Sequence, residues 1–335
     1  LILEDGTVFT GTSIGSTKSV ISEIVFNTSM TGYLEVLTDP SYAGQAVVMT
    51  YPLIGNYGIT PDMESKQPWP DGYIVRELSR IPSNFRCQGT IQDFLKEHDI
   101  PGIAGIDTRA LTKILREKGT MNGMITTDEN YKLDEILPQL HVYNTGNVVD
   151  KVTCSEKEVL KADGYKVALL DFGAKNNIAQ SLHKRGCEVT IYPAHTTAEE
   201  ILASNPDGIM LSNGPGDPKA CTDIIKEVKK LYDSEVPIFA ICLGHQLMAL
   251  ATGADTYKLK YGHRGGNHPV KDLETGRVYI SSQNHGYAVD ADSLDQTIAV
   301  PAFTNVNDGT NEGLKYTGKN IFTVQFHPEA CPGPQ

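Results

Sequence analysis

Apolar residues in the second half of the chain follow two alternating patterns. Short apolar runs predict buried strands over 166–171, 188–192, 207–212, 237–241 and 321–325. Between most of these runs, apolar residues recur every three or four positions, which predicts helices over 177–185, from Thr197 onward, over 222–232 and over 243–252. Strands joined by helices in this way predict a parallel sheet covered on both faces. Ligands of such sheets bind at the carboxyl ends of the strands.

The first half has a mixed pattern with fewer helices. Asp5-Gly6 lies between short apolar runs and predicts a hairpin, because Asp-Gly adopts the positive φ angles of a tight turn. Strands are predicted over 20–26 and 46–51. Residues 107–119 have the capping residue, the apolar spacing and the terminal glycine of a helix.

The change of pattern predicts two domains. We predict a smaller mixed α/β domain over 1–150, and a second α/β domain over 165–335 whose mostly parallel sheet is flanked by helices. A polar stretch between about 145 and 165 is interpreted as the linker. The length of 335 residues agrees with two domains of ordinary size.

Composition and charge exclude several function classes. The formal net charge of −12 argues against a nucleic-acid partner or an anionic membrane surface. No apolar run of about 18 residues occurs, so no membrane span is predicted. The six cysteines form no C-x-x-C pair, which argues against a zinc site or a disulfide framework and favours the cytoplasm. The sequence opens on Leu1 rather than Met, and we interpret its natural start as missing.

Cys242 is the strongest candidate for chemistry. It falls between the strand predicted over 237–241 and the following helix, with the small residues Ala240 and Gly244 on either side. A sharp turn of this kind presents one side chain at the rim of a sheet. The positive end of a helix dipole also favours the thiolate. The pattern thus indicates a nucleophile, and a buried structural cysteine is the alternative.

Two further stretches follow predicted strands of the same domain. Gly214 and Gly216 lie in a loop after residues 207–212, where they allow the backbone to approach a ligand closely, although a plain loop is the more common explanation of such a stretch alone. His327 and Glu329 follow residues 321–325, and side chains two apart on an extended chain point the same way. A carboxylate so placed can fix the tautomer of an imidazole that serves a thiol. An unrelated surface pair is the alternative.

Two polar stretches carry weaker signals. Residues 281–287 offer amide, backbone and aromatic groups to a small polar molecule, although alone they indicate a turn. Residues 260–269 are rich in His and Gly, but we predict no metal site because no acidic residue is near in sequence. Cys, His and Glu at the carboxyl ends of strands in one domain together predict acyl transfer through a thioester.

These motifs carry a family resemblance. Cys242-Leu-Gly-His-Gln246, Asn213-Gly-Pro-Gly-Asp217 and His327-Pro-Glu329 resemble the triad-type class I glutamine amidotransferases. Phe26-Asn-Thr-Ser-Met-Thr-Gly-Tyr33 and Gly105-Ile-Asp-Thr-Arg109 are similar to the small, glutaminase subunits of carbamoyl-phosphate synthetases. So is Asp171-Phe-Gly-Ala-Lys-Asn-Asn-Ile178. Members usually continue for about one more helix, so the chain is interpreted as truncated at its carboxyl end.

The resemblance implies roles for individual residues. Cys242 would be the nucleophile, His327 the base and then the acid, and Glu329 the group that orients the imidazole. The remaining residues of the family pattern would hold glutamine or its oxyanion: Ser41, Gly214, Gly216, Leu243, Gln246, Asn284, Gly286 and Tyr287. No metal or other cofactor is expected in this chain.

The resemblance also implies a partner. Ammonia would pass to a large synthetase subunit that uses bicarbonate and ATP, with Mg²⁺, to make carbamoyl phosphate for the arginine or the pyrimidine pathway. Three alternatives stay open: the glutaminase component of another biosynthetic complex, a non-catalytic scaffold subunit, and a free-standing thiol peptidase or γ-glutamyl hydrolase.

Overall fold

The first compact unit contains a mixed sheet and short helices. The computed structural model describes residues 1–332, and this unit comprises Leu1–Gly146 together with Cys331 and Pro332. Its strands are β1 (Ile2–Leu3), β2 (Thr12–Ser13), β3 (Val20–Asn27), β4 (Gln45–Met49), β5 (Leu53–Ile54), β6 (Gly72–Ile74), β7 (Glu77–Leu78), β8 (Gly102–Ala104) and β9 (Met121–Ile125). Its helices are α1 (Tyr33–Thr38), α2 (Ile91–Glu97), α3 (Thr108–Lys118) and α4 (Leu133–Val142).

The main sheet of this unit has the order β1-β9-β3-β4-β6-β8-β2. The central strands β3, β4, β6 and β8 are parallel, and β1, β9 and β2 pair in antiparallel fashion. Helix α3 has the cap and the terminus that the sequence predicted. Asp107 accepts a hydrogen bond from the Ala110 N–H at 3.0 Å, and Gly119 ends the helix with φ of 102°.

The second compact unit is Asn147–Ala330 and contains the predicted α/β pattern. Its strands are β10 (Glu158–Leu160), β11 (Lys166–Asp171), β12 (Glu188–Pro193), β13 (Gly208–Leu211), β14 (Ile238–Ile241), β15 (Asp255–Asp272), β16 (Val278–Asp290), β17 (Ala299–Asn305), β18 (Asn311–Tyr316) and β19 (Ile321–Val324). Its helices are α5 (Val149–Val152), α6 (Asn176–His183), α7 (Ala198–Ala203), α8 (Thr222–Asp233) and α9 (Leu243–Ala251).

One large sheet organises this unit, with the order β10-β12-β11-β13-β14-β19-β18-β17-β15-β16. Strands β12, β11, β13, β14 and β19 are parallel neighbours, so their carboxyl ends share one edge. Helices α7, α8 and α9 pack on one face and α6 on the other. The predicted fold class, an α/β chain with a parallel sheet flanked by helices after a mixed α/β part, is confirmed.

Two features differ from the sequence predictions. The stretch of 145–165 is not a simple linker, because it contains α5 and the edge strand β10, which pairs with β12. Residues 281–287, interpreted as a turn, and residues 260–269, for which no strand was predicted, lie inside the long paired strands β16 and β15. Polar and glycine-rich composition hid these strands, because their side chains serve hydrogen bonds rather than an apolar core.

Among residues 1–332, no helix is both long and apolar enough to cross a bilayer.

Candidate active site

Cys242 occupies a strained turn between β14 and α9. Its backbone has φ of 52° and ψ of −104°, a conformation that costs a side-chain-bearing residue about 1–3 kcal/mol. The Cys242 N–H donates to the Val324 carbonyl of the neighbouring parallel strand at 2.8 Å. The side chain is buried, and its thiol lies 3.6 Å from the carbonyl oxygen of Asn284. Strain maintained by a neighbouring strand is typical of a functional position.

Gly244 explains how the turn can be so sharp. A Cβ atom at this position would lie 2.5 Å from the Leu211 carbonyl oxygen and 2.7 Å from the Leu211 Cβ. The Gly244 N–H donates to the Ser212 carbonyl at 3.0 Å. The first turn of α9 therefore packs directly on the backbone at the end of β13, which only glycine allows.

His327 and Glu329 meet as their spacing predicted. The His327 Nδ1 lies 2.7 Å from Glu329 Oε1, and both side chains are buried. The His327 N–H donates to the Ser282 carbonyl at 2.9 Å, which ties this segment to β16. Within the described residues, His327 Nε2 is buried and has no aligned hydrogen-bond partner. The carboxylate thus faces Nδ1 and leaves Nε2 for another group.

Charge around the imidazole is set by three side chains. Burial and the positive Lys175 disfavour the imidazolium, but Glu329 and the thiol of Cys242 outweigh them and raise the pKa of His327. Burial alone would raise the pKa of Glu329, yet His327 and Lys175 lower it to about 2. Cys242 and His327 follow the paired strands β14 and β19. A catalytic hydrogen bond is often long or poorly aligned when no substrate is bound.

Lys175 is a buried residue that was not predicted to belong to the site. Its Nζ lies 3.4 Å from Glu329 Oε1, the same oxygen that meets His327. Its backbone N–H donates to the Asn213 side chain at 3.1 Å, which connects it to the glycine-rich loop. Its only signal in the sequence was its position just after β11, at the edge where the other candidates lie.

The glycine-rich loop approaches the same edge. A side chain at Gly214 would collide with the carbonyl oxygen of Phe172 and with Leu243. Gly216 has φ of +90°, which disfavours other residues. Leu243 is the first residue of α9, so its N–H has no partner within the helix. The two glycines are therefore required by close packing and backbone conformation.

The four predicted binding residues near β16 lie around the turn of Cys242. Gln246 is buried, and its amide nitrogen donates to the Tyr287 carbonyl at 2.8 Å and to Gln325 Oε1 at 3.0 Å. Asn284 is buried beside the thiol, and Gly286 lies near the Arg264 guanidinium. Since both amide hydrogens of Gln246 are engaged, its Oε1 is the atom left to contact a ligand.

Ser41 belongs to the first unit. It is buried in a short 3-10 helix, Pro40–Tyr42, and its N–H donates to Asp39 Oδ1 at 2.9 Å. Its role in binding stays a prediction.

The fold brings acidic groups to the His-rich stretch, contrary to the sequence-based argument. His263 Nε2 lies 2.7 Å from Asp308 Oδ2, and His263 Nδ1 lies 3.6 Å from Glu312 Oε1. These carboxylates come from the β17–β18 turn and from β18, more than 40 residues along the chain in each case. The prediction that no acidic residue lies near this stretch was therefore wrong, because the fold brings Asp308 and Glu312 to His263.

Comparisons with known proteins match both parts of the chain. Residues 1–125 match the family "Carbamoyl-phosphate synthase small chain, CPSase domain", and residues 168–335 match "Glutamine amidotransferase class-I". The chain is 52% identical to the carbamoyl phosphate synthase small chain of Clostridium perfringens over 336 residues, covering 100% of this chain and 95% of that protein. The small chain of Listeria monocytogenes serotype 4b is also 52% identical, covering 100% and 92%.

A solved structure gives a weaker likeness. A glutamine amidotransferase from Thermotoga maritima is 19% identical, with a TM-score of 0.41, over 50% of this chain and 77% of that protein.

Proposed function

This chain belongs to the family of carbamoyl-phosphate synthase small chains, and on that premise we propose that Cys242, His327 and Glu329 hydrolyse glutamine through a thioester. As a member of the family, it is the glutamine-hydrolysing amidotransferase subunit of a carbamoyl-phosphate synthase. The observation that carries the residue roles is the buried contact of His327 Nδ1 with Glu329 Oε1 at 2.7 Å beside a cysteine on a strained turn. A structural cysteine would not need that backbone strain.

The proposed reaction has two halves. The Cys242 sulfur forms a bond to the side-chain carbonyl carbon of glutamine, and the thiol proton passes to His327 Nε2. The carbon–nitrogen bond then breaks, and His327 returns the proton so that ammonia leaves. Water, deprotonated by the same imidazole, attacks the thioester carbon and releases glutamate and the thiol. Glu329 stays ionised throughout and holds the ring by Nδ1.

Backbone donors would stabilise the oxyanion. We assign this role to the N–H groups of Leu243 and Gly216, with Gly214 keeping the loop close. The helix start at Leu243 and the positive φ of Gly216 support this choice. Loss of one such donor costs about 10²–10³ in rate.

Glutamine itself would be held by polar groups around the turn. Gln246 would contribute its Oε1, Asn284 and Gly286 would contact the substrate from β16, and Tyr287 would act through its backbone. Ser41 lies in the first unit, and its contact with glutamine stays a prediction from the family resemblance.

The partner and the later chemistry are also proposals. Ammonia would pass to a large synthetase subunit, which would hold ATP and Mg²⁺ and use bicarbonate to make carbamoyl phosphate for arginine or pyrimidine synthesis. The absence of a phosphate-binding loop motif in this sequence supports placing the ATP chemistry elsewhere. No metal or other cofactor is proposed for this chain.

The substitution Cys242→Ser tests the proposal. In the complex with the large subunit, we expect glutamine-dependent carbamoyl phosphate synthesis to be lost and ammonia-dependent synthesis to be retained. Cys221→Ser is the matched control, since Cys221 is also buried in the second unit but lies in its apolar core. Loss of both activities in Cys242→Ser would mean that the cysteine is structural.

Chemical labelling tests the nucleophile directly. We expect a diazo-ketone analogue of glutamine to form one adduct, on Cys242, and excess glutamine to block it, as read by peptide mapping in a mass spectrometer. Labelling spread over several cysteines, or unaffected by glutamine, would favour the scaffold alternative.

A further inference from the structure

Glu312 is a carboxylate in the interior that the proposed mechanism does not use. It lies on β18 with no exposed surface, and burial of an ionised group is costly unless it is compensated. Its Oε1 accepts hydrogen bonds from Gln283 Nε2 at 2.9 Å and from Asn305 Nδ2 at 3.0 Å. His263, whose pKa is raised to about 9 by Asp308 and Glu312 against the effect of burial, is the nearby positive charge. The carboxylate is thus paired and holds two amides.

Glu312 determines which way the Gln283 side chain points. An amide has a donating end and an accepting end, whereas a carboxylate only accepts. The Gln283 NH₂ therefore faces Glu312, and its Oε1 faces His285 Nε2 at 2.7 Å. Without an acceptor at position 312 the amide could reverse.

His285 lies between the Gln283 side chain and the backbone at Tyr287. One of its ring nitrogens faces Gln283 Oε1 and the other faces the Tyr287 carbonyl, each at 2.7 Å. The ring lies between the two ends of the segment 283–287, and because a neutral imidazole has a single N–H it donates to only one of these two oxygens. Which of them receives the N–H depends on the direction of the Gln283 amide.

The pairing of β15 with β16 is irregular around this segment. Strands β15 and β16 pair regularly over His263–His285, Arg264–Asn284 and Gly265–Gln283, but the register shifts on both sides of these pairs. The irregularity after His285 falls at Gly286, before Tyr287 pairs with Lys258, so sheet pairing alone does not fix the whole of the segment 284–287. Its carbonyl groups meet the active site: Asn284 O faces the Cys242 thiol and Tyr287 O accepts from Gln246.

We propose that Glu312 is a positioning residue that, acting through Gln283 and His285, holds residues 284–287 in the conformation that binds glutamine. This inference rests on the proposed function of the site. It predicts an effect on glutamine binding rather than on the bond-breaking step, because Glu312 touches none of the reacting groups.

A metal centre is the competing interpretation of the same cluster. Ligand atoms of His263, His285 and Glu312 lie within 4.8 Å of one another. However, both ring nitrogens of His285 already face protein acceptors, and Glu312 Oε1 already accepts two amide hydrogens. An ion would have to displace these contacts, and the buried atoms of the cluster that have no hydrogen-bond partner within the described residues are Glu312 Oε2 and His263 Nδ1.

Two substitutions of similar size distinguish loss of the hydrogen-bond acceptor at position 312 from a change in side-chain volume. Glu312→Met removes the acceptor, and in the complex with the large subunit we expect the KM for glutamine to rise about tenfold while kcat changes by no more than about twofold. Glu312→Gln keeps a carbonyl oxygen for Gln283, so its KM should stay near that of the wild type. Glu274→Met is the control, since that side chain is 80% exposed. An unchanged KM in Glu312→Met, or an equal rise in Glu312→Gln, would overturn the proposal.

A double-mutant cycle tests whether Glu312 acts through Gln283. Gln283→Met should raise the KM for glutamine much as Glu312→Met does, and the double variant should be no worse than either single one, because both break the same link. Additive increases would overturn the role of Gln283. Chelator treatment of the wild type should leave KM unchanged, and a rise reversed by Zn²⁺ would replace the network by a metal centre.

Failure of this inference is distinguishable from failure of the proposed function. If the glutamine analogue does not label Cys242 in the wild type, the proposed function fails. If it labels wild type and Glu312→Met alike, and the same glutamine concentration protects both, only the positioning role of Glu312 fails.

Discussion

At the residue scale, one carboxylate oxygen is shared by two cations. Glu329 Oε1 lies 2.7 Å from His327 Nδ1 and 3.4 Å from Lys175 Nζ, and all three side chains are buried. Glu329 stabilises the imidazolium and Lys175 opposes it, so the two act on the pKa of His327 in opposite directions. Lys175 therefore keeps Glu329 ionised and limits how far that carboxylate raises the pKa of the ring, which must lose its proton to act as a general base.

The substitution Lys175→Met tests this balance. Without the positive charge the pKa of His327 should rise, because the imidazolium loses a repulsive neighbour. The acidic limb of kcat/KM for glutamine, which requires a neutral ring, should therefore move to higher pH, and activity near neutral pH should fall about tenfold for each unit of that movement. Steady-state glutaminase profiles from pH 5 to 10 provide the measurement.

The control for this substitution is Lys166→Met, at the exposed start of β11, the strand that precedes Lys175. It should leave the profile unchanged. If Lys175→Met lowered kcat/KM equally at every pH, Lys175 would act on packing rather than on charge.

At the element scale, the active turn depends on how closely α9 meets the sheet. The first turn of the helix lies against the backbone of β13 at Gly244, and the ladder between β14 and β19 holds Cys242 from the other side. Contact with backbone leaves no flexible group that could move aside for an added methyl group. The position of the sulfur is thus a property of three neighbouring strands and one helix.

Gly244→Ala should disturb both stability and reactivity. We expect a loss of about 1–3 kcal/mol in the free energy of unfolding, because the new Cβ would overlap Leu211. Labelling of Cys242 by the glutamine analogue should slow as well. Gly208→Ala in β13 is the control, since its Cβ would meet only the Pro237 carbonyl at 3.7 Å. Urea unfolding and labelling rates of both variants decide the matter, and equal stability would contradict the packing argument.

The same elements show how far sequence reasoning reaches. Strands β11, β12, β13, β14 and β19 were predicted because parallel strands buried on both faces are continuous apolar runs. Cys242, His327 and Glu329 were found because each follows such a strand. Strands β15 and β16 were missed because their buried side chains are polar, as at His263 and Gln283. Glu312 was missed because its partners come from other strands, and no local pattern reveals that contact.

At the scale of the whole molecule, buried histidines make stability depend on pH in both directions. Burial lowers the pKa of His245 to about 3 and, with the charge of His263, that of His268 to about 4. Carboxylates raise the pKa of His263 to about 9 and that of His327 to about 10, against the effect of burial. The ordinary value of 6.5, which the unfolded chain regains, lies between the two groups.

The signs follow from proton binding. As pH falls below 6.5, the unfolded chain binds protons that folded His245 and His268 do not, so the folded state loses stability toward pH 3–4. The stabilisation from charged His263 and His327 is fully present below 6.5 and is lost as pH rises toward 9–10. Each group changes the free energy of unfolding by at most about 1.4 kcal/mol per pH unit. The second unit should therefore be most stable near pH 6.5.

His263→Asn provides the decisive variant, because it removes one of the two groups that act on the alkaline side and leaves those that act on the acidic side. Its urea midpoint should fall less steeply than that of the wild type between pH 6.5 and 9, and the slope between pH 4 and 6.5 should also become shallower, because His268 loses the charge that helps lower its pKa. Far-UV circular dichroism is the suitable probe, since Trp69, the sole tryptophan, belongs to the first unit while these histidines belong to the second. His195→Asn, at a largely exposed position, is the control. A wild-type midpoint that increased from pH 6.5 to 9 would show that the His263 ion pair does not contribute to the stability of the fold.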